Sequence, residues 1–114
     1  MPRPRMFRRV MAEPAVNYFK PAGVPLSILK EVILTVDEFE AIRLKDYKGL
    51  EQEEAAKTMN ISQPTFNRLL RSARKKIAEA IVEPKAIKIE GGPYKIEKEF
   101  RGRGFGRRFR GRGI

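Results

Sequence analysis

Cysteine, histidine and tryptophan are missing from this chain of 114 residues, and the first two absences each close a class of chemistry. There is no cysteine, so neither a disulfide nor a thiolate metal site can form. There is no histidine either, which removes the commonest general base and the commonest neutral metal ligand. No apolar run reaches membrane-spanning length, and the basic N-terminus is not followed by the apolar stretch of a signal peptide. The chemistry-bearing groups left are scattered carboxylates, Lys, Ser and Tyr with no nucleophile–base pairing, so an enzyme is not expected, nor a cofactor or a metal. A chain this short buries one modest core. The expectation is a single small cytoplasmic domain away from membranes.

Acidic residues are outnumbered by basic ones, and the placement of the excess charge says more than its size. The net charge is +11, from 25 Lys and Arg against 14 Asp and Glu. Arg3, Arg5, Arg8 and Arg9 crowd one end, and Arg101, Arg103, Arg107, Arg108, Arg110 and Arg112 crowd the other. The stretch between them is close to neutral. Terminal blocks of like charge tend to stay disordered and to serve as arms on nucleic acid.

Within that neutral body, Gln52 to Arg71 has the layout of a helix-turn-helix. A short helix carries Ala55 and Ala56; Met59, Asn60, Ile61 and Ser62 make a turn; a second helix begins at Gln63. Helices that cross steeply after so short a turn nearly touch, and a small side chain such as Ala56 permits it. Asn60 suits a left-handed backbone position better than most residues. Ser62 is a good N-cap, and Pro64 is tolerated in the first turn, where N–H groups lack intrahelical partners. The same residues would also serve an ordinary helical hairpin, in which they only pack.

The second helix adds independent weight. Phe66, Leu69, Leu70, Ala73, Ile77 and Ala80 or Ile81 recur every three or four residues and form one apolar stripe. Gln63, Thr65, Asn67, Arg68, Arg71, Ser72, Arg74, Lys75 and Lys76 occupy the rest, and no acidic residue occurs from Asn60 to Ile77. Gln63, Thr65, Asn67, Arg68 and Arg71 are the candidates for base or groove contacts, with Ser62, Ser72, Arg74 and Lys75 on the phosphate backbone.

Elsewhere the signals are shorter. Five prolines within Met1 to Pro25 forbid one regular element, apart from a short extended piece around Val16 to Phe19. Lys30 to Thr35 is suited to a strand, although Leu26 to Val32 could form a helical turn instead. Thr35 and Glu38 form a capping box for a helix running to about Tyr47, with Phe39, Ile42, Leu44 and Tyr47 facing the core and Gly49 ending it. Ala86 to Glu90 reads as another short strand, and Gly91, Gly92 and Pro93 punctuate its end.

PRPR, RRV, YFKPAG, LTVDEFEAIRLKD, GLEQEEAA, ISQPTF and IEGG occur in that order. This series resembles a family of small predicted DNA-binding proteins of bacteria and archaea, filed as domain of unknown function one-hundred-thirty-four, over roughly Pro2 to Gly92. The Ala73-Arg74-Lys75-Lys76 stretch also resembles region four of sigma-seventy-type transcription factors. The resemblance implies binding to double-stranded DNA and transcriptional regulation. Two departures stand out: Glu51 replaces the usual Ser or Thr cap of the first motif helix, and the tail EFRGRGFGRRFRGRGI lies outside the family pattern.

The expected architecture is mainly α: a sigma region-four-like helix-turn-helix of winged-helix size with one or two short strands and disordered basic tails. The expected divisions are a Pro-rich arm over 1–25, a DNA-binding domain over 26–92 and an Arg/Gly tail over 93–114. In that tail Arg can pair with phosphates while Phe100, Phe105 and Phe109 stack on exposed bases. RNA is therefore a second expected partner, and a general RNA or single-strand binder is the alternative function. The sequence leaves monomer and homodimer open, since spare strands can pair two subunits.

Overall fold

The fold is given by a computed structural model that describes residues 8–96. The PRPR segment and the tail, with the expectations attached to Arg3, Arg5, Arg101 to Arg112 and the three tail phenylalanines, lie outside the described residues.

Thr35 and Glu38 cap each other, the Glu38 amide donating to the Thr35 hydroxyl at 3.4 Å and the Thr35 amide to the Glu38 carboxylate at 3.0 Å. That box opens helix α1, Val36–Ile42, which widens into a π-helical turn over Arg43–Tyr47 before Gly49 ends it at φ +80°. The wider turn breaks the 3.6-residue spacing, so Tyr47, expected on the core face, is 83% exposed. Helix α2 is Gln52–Thr58, and Glu51 makes no side-chain cap to it, as the missing Ser or Thr implies. Helix α3 spans Gln63–Val82. Its 20 residues make a rod about 30 Å long at 1.5 Å per residue.

The described residues also contain five short strands: β1 (Arg8–Val10), β2 (Tyr18–Phe19), β3 (Glu31–Leu34), β4 (Ala86–Ile89) and β5 (Tyr94–Ile96). A 3-10 turn over Leu26–Ile28 precedes β3. β4 lies between antiparallel β2 and parallel β3, while β1 and β5 form a separate parallel pair. Only the strands around Phe19, Lys30 to Thr35 and Ala86 to Glu90 were legible in sequence. β1 and β5 have three residues each, too few to show a period, and each exists through a partner at the other end of the described residues.

The divisions at 25/26 and 92/93 need correcting on the same ground. β1, from the expected arm, pairs with β5, from the expected tail, so both belong to the folded body. Gly92, at φ +90°, lies against the start of α1: a Cβ there would stand 2.6 Å from Asp37 Oδ1 and 2.8 Å from Thr35 Cβ. Only glycine permits that approach.

Two apolar clusters fill the interior. Ala41, Leu44, Ala55, Ala56, Met59, Phe66 and Leu70 join α1, α2 and the first half of α3. Val10, Leu34, Val36, Ala73 and Ile89 join the sheets to its middle. Phe66, Met59 and Leu70 are among the largest fully buried side chains, each worth about 1.5–3 kcal/mol against exposure. Ala80 rather than Ile81 continues the apolar stripe. Among the described residues no helix is long and apolar enough to cross a membrane.

Candidate nucleic-acid interface

The link between α2 and α3 is a tight backbone device. Asn60 sits at φ +60°, the left-handed position expected of it. The amides of Met59, Asn60 and Ile61 donate to the carbonyls of Ala55, Lys57 and Ala56 at 3.0–3.1 Å, so the end of α2 keeps few orphan acceptors. The Ser62 hydroxyl accepts from the Thr65 amide at 3.2 Å and caps α3. Ala56 is 3% exposed, buried where the two helices approach. β1 braces the turn from outside: the Arg9 amide donates to the Met59 carbonyl at 2.9 Å.

At 100° per residue, the buried Phe66, Leu70, Ala73 and Ala80 gather on one side of α3. Pro64, Arg68, Arg71 and Lys75 then fall on the opposite side, within about 60° of one another. All four are exposed; Arg68 and Arg71 have no acidic partner among the described residues, and Lys75 feels only the charge of Glu79 one turn later. Gln63 is exposed and Asn67 half-buried on one flank of this stripe; Ser62 and the half-buried Thr65 hold the helix start.

Two other expected contacts, Ser72 and Arg74, are engaged by acids of α1 and its π turn. Ser72, placed on the phosphate backbone by sequence, donates its hydroxyl to Glu38 at 2.5 Å. Lys76 reaches the same carboxylate at 2.8 Å. Arg74 makes a two-pronged bond to Asp46, at 2.6 and 3.1 Å. Ser72 and Arg74 point about 160° apart around α3, so α1 and its π turn straddle the helix and hold both flanks. α3 holds no acid before Glu79, and the partners escaped sequence reasoning because they come from 28 to 38 positions upstream.

Magnitudes separate the two anchors. The Arg74–Asp46 pair is exposed on both sides and worth about 0.2–1 kcal/mol, little enough for a phosphate to compete with. Arg74 holds the Asp46 carboxyl below its ordinary range. Glu38 is 5% exposed. Burial works to raise its pKa, but hydrogen bonds from Lys76, Ser72 and the Thr35 amide overcome this and hold it below the usual carboxylate range. Ser72 and Lys76 are thus committed to the fold.

Two more buried acids complete the frame. Glu40, fully buried, takes a bidentate bond from Arg43 at 2.7 and 2.9 Å and one from the Met11 amide at 3.3 Å. Asp37 accepts from the Glu38 amide at 3.1 Å and faces Arg8 Nε at 3.6 Å. Each carboxylate is satisfied, as burial of a charge requires. The acids of VDEFEAIRLKD therefore serve the scaffold, leaving the Arg68, Arg71 and Lys75 stripe as the open cationic surface of α3.

A model of a protein family described as "Protein of unknown function DUF134" matches residues 1–97. Among curated relatives, a UPF0251 protein of Caldanaerobacter subterraneus subsp. tengcongensis is 62% identical over 105 residues, 91% of this chain and 89% of the relative. A UPF0251 protein of Thermoanaerobacter sp. is 60% identical over 103 residues, 90% and 91% of the two chains. One of Dehalococcoides mccartyi is 56% identical over 97 residues, 85% and 83%. No solved structure matches.

Proposed function

Since the chain belongs to the family of proteins of unknown function DUF134, we propose from its own geometry that it reads double-stranded DNA through a helix-turn-helix, as a transcriptional regulator, with α3 as the reading helix. The observation that carries this is the outer stripe of Arg68, Arg71 and Lys75, acid-free and exposed on a helix whose start is set by α2, the Asn60 turn and the Ser62 cap. A major groove about 12 Å wide admits an α-helix, and guanidinium and amide groups near its first turns can bond to base edges. Gln63, Asn67, Arg68 and Arg71 take that role, while Ser62, Thr65 and Lys75 lie along the backbone. Arg74 joins them only by giving up Asp46. Ser72 is not part of the interface, because its hydroxyl is held by Glu38.

Selection of bound duplexes from a random pool tests this, and one short motif should be enriched. Arg68→Ala or Asn67→Ala should then cost about 1–3 kcal/mol on the selected duplex and little on scrambled DNA. A pool that yields no motif would overturn the proposal in favour of general binding to RNA or single strands. Equal losses on both duplexes would demote the two residues to phosphate contacts.

A further inference from the structure

At the far end of α3 from the cationic stripe the surface changes character. Phe19, Leu26, Ile28, Ile81 and Val82 are 51–76% exposed. Phe19, Pro21, Ala80, Ile81, Pro84 and Ile87 line an open apolar groove of about 230 Å³ between β2 and the last turn of α3. The Leu26–Ile28 turn belongs to the same end, because the Ala86 amide at the start of β4 donates to the Lys30 carbonyl at 2.8 Å. A cluster of apolar side chains rimmed by polar groups marks a surface that another protein covers.

Charge selects the occupant. Lys20, Lys30, Lys85 and Lys88 at this end and along β4 are matched by Glu31, Glu79, Glu83 and Glu90, a net of zero in a chain of +11. Several of these are already paired: Lys85 with Glu79 and Glu83, and Lys88 with Glu90 at 3.6 Å. DNA finds no net attraction there. Two copies of a strongly basic chain repel across their cationic faces, and at this balanced face they do not. In a two-fold contact every Lys–Glu pair formed across the seam forms twice, and a surface that carries both signs in equal number can be complementary to itself.

We propose that this end, formed by β2, the Leu26–Ile28 turn and the last turn of α3, is the interface of a two-fold homodimer. Ile81 stands 18 residues from Gln63, about 27 Å along α3. Taken with the DNA-reading proposal, on which only this consequence rests, two such arms diverging by roughly 80° would set the reading ends one helical turn, about 34 Å, apart.

Sedimentation of the full chain, freed of nucleic acid by nuclease and held at about 0.5 M salt to screen surface charge, tests the interface. The protein should sediment at twice its chain mass at micromolar concentration, with a Tm that rises with concentration. Ile81→Glu or Val82→Glu, at exposed positions, should weaken the dimer by at least about tenfold, with the far-UV spectrum unchanged, because each buries an unpaired charge in the contact. Leu26→Glu, outside α3, should do the same if either helix variant misfolds. A monomer at every concentration, or a dimer indifferent to all three substitutions, would overturn the proposal. No DNA enters the measurement, so that failure would leave base recognition standing.

Discussion

At the scale of single residues, Glu38 decides how α3 is held. One carboxylate caps α1, takes the Ser72 hydroxyl and pairs with Lys76, so three separate groups lose a partner if it goes. Glu38→Gln keeps the shape but removes the charge that Lys76 faces, and should destabilise the domain by about 1–3 kcal/mol. The direction of the shift sets the pH dependence. Its pKa is lower in the folded protein, so the contribution is complete above the ordinary carboxylate range and is lost as pH falls through the folded value. Thermal melts from neutral pH down through that range should show a steeper acid loss for the native protein than for Glu38→Gln. Parallel curves would mean that Glu38 carries no special share of the acid sensitivity.

At the scale of elements, α2 is too short to stand alone and is placed by what it touches. Seven residues without a side-chain cap are below the length at which a helix is stable in water. Ala55, Ala56 and Met59 seat it on α3 and α1, and the Arg9 amide secures the turn from β1. Ala56→Leu adds three carbons where 3% of the residue is exposed, and overpacking should cost about 1–3 kcal/mol. Calorimetry should register this at roughly 4–8 °C per kcal/mol for a domain of this size, with DNA affinity falling in step. An unchanged Tm and affinity would mean that the helices do not press together at Ala56.

At the scale of the whole molecule, positive charge is divided between a placed stripe on α3 and the two ends of the chain. In the proposed function, base discrimination rests on the stripe. Deleting Arg101 to Ile114 removes six Arg and leaves Gln63 to Lys75 untouched. Since affinity falls with salt by about 0.9 logarithmic units per phosphate neutralised, the slope should become shallower by as much as about 5. Nonspecific affinity for DNA or RNA should drop, while preference for the selected duplex over a scrambled one should persist. Loss of that preference in a folded truncated protein would place part of the recognition in the tail, against the assignment to α3.

The local rules of the chain were enough for much of this. Thr35 with Glu38, Asn60, Ser62 and the apolar period of α3 act within a few residues of themselves, so their helix starts, turn and buried stripe could be read directly. Tyr47 escaped because a single wider turn shifts the period. The pairing of β1 with β5 escaped because a strand of three residues has no pattern of its own. Which polar groups of α3 remain open to a partner was beyond the sequence altogether. Ser72, Arg74 and Lys75 are alike as members of a basic, acid-free segment, and it is α1, packed across the helix from some thirty residues upstream, that engages two of them and leaves the third to solvent. A helical period sorts residues into inner and outer faces, but the electrostatic occupancy of a flank depends on the neighbour that tertiary packing brings there.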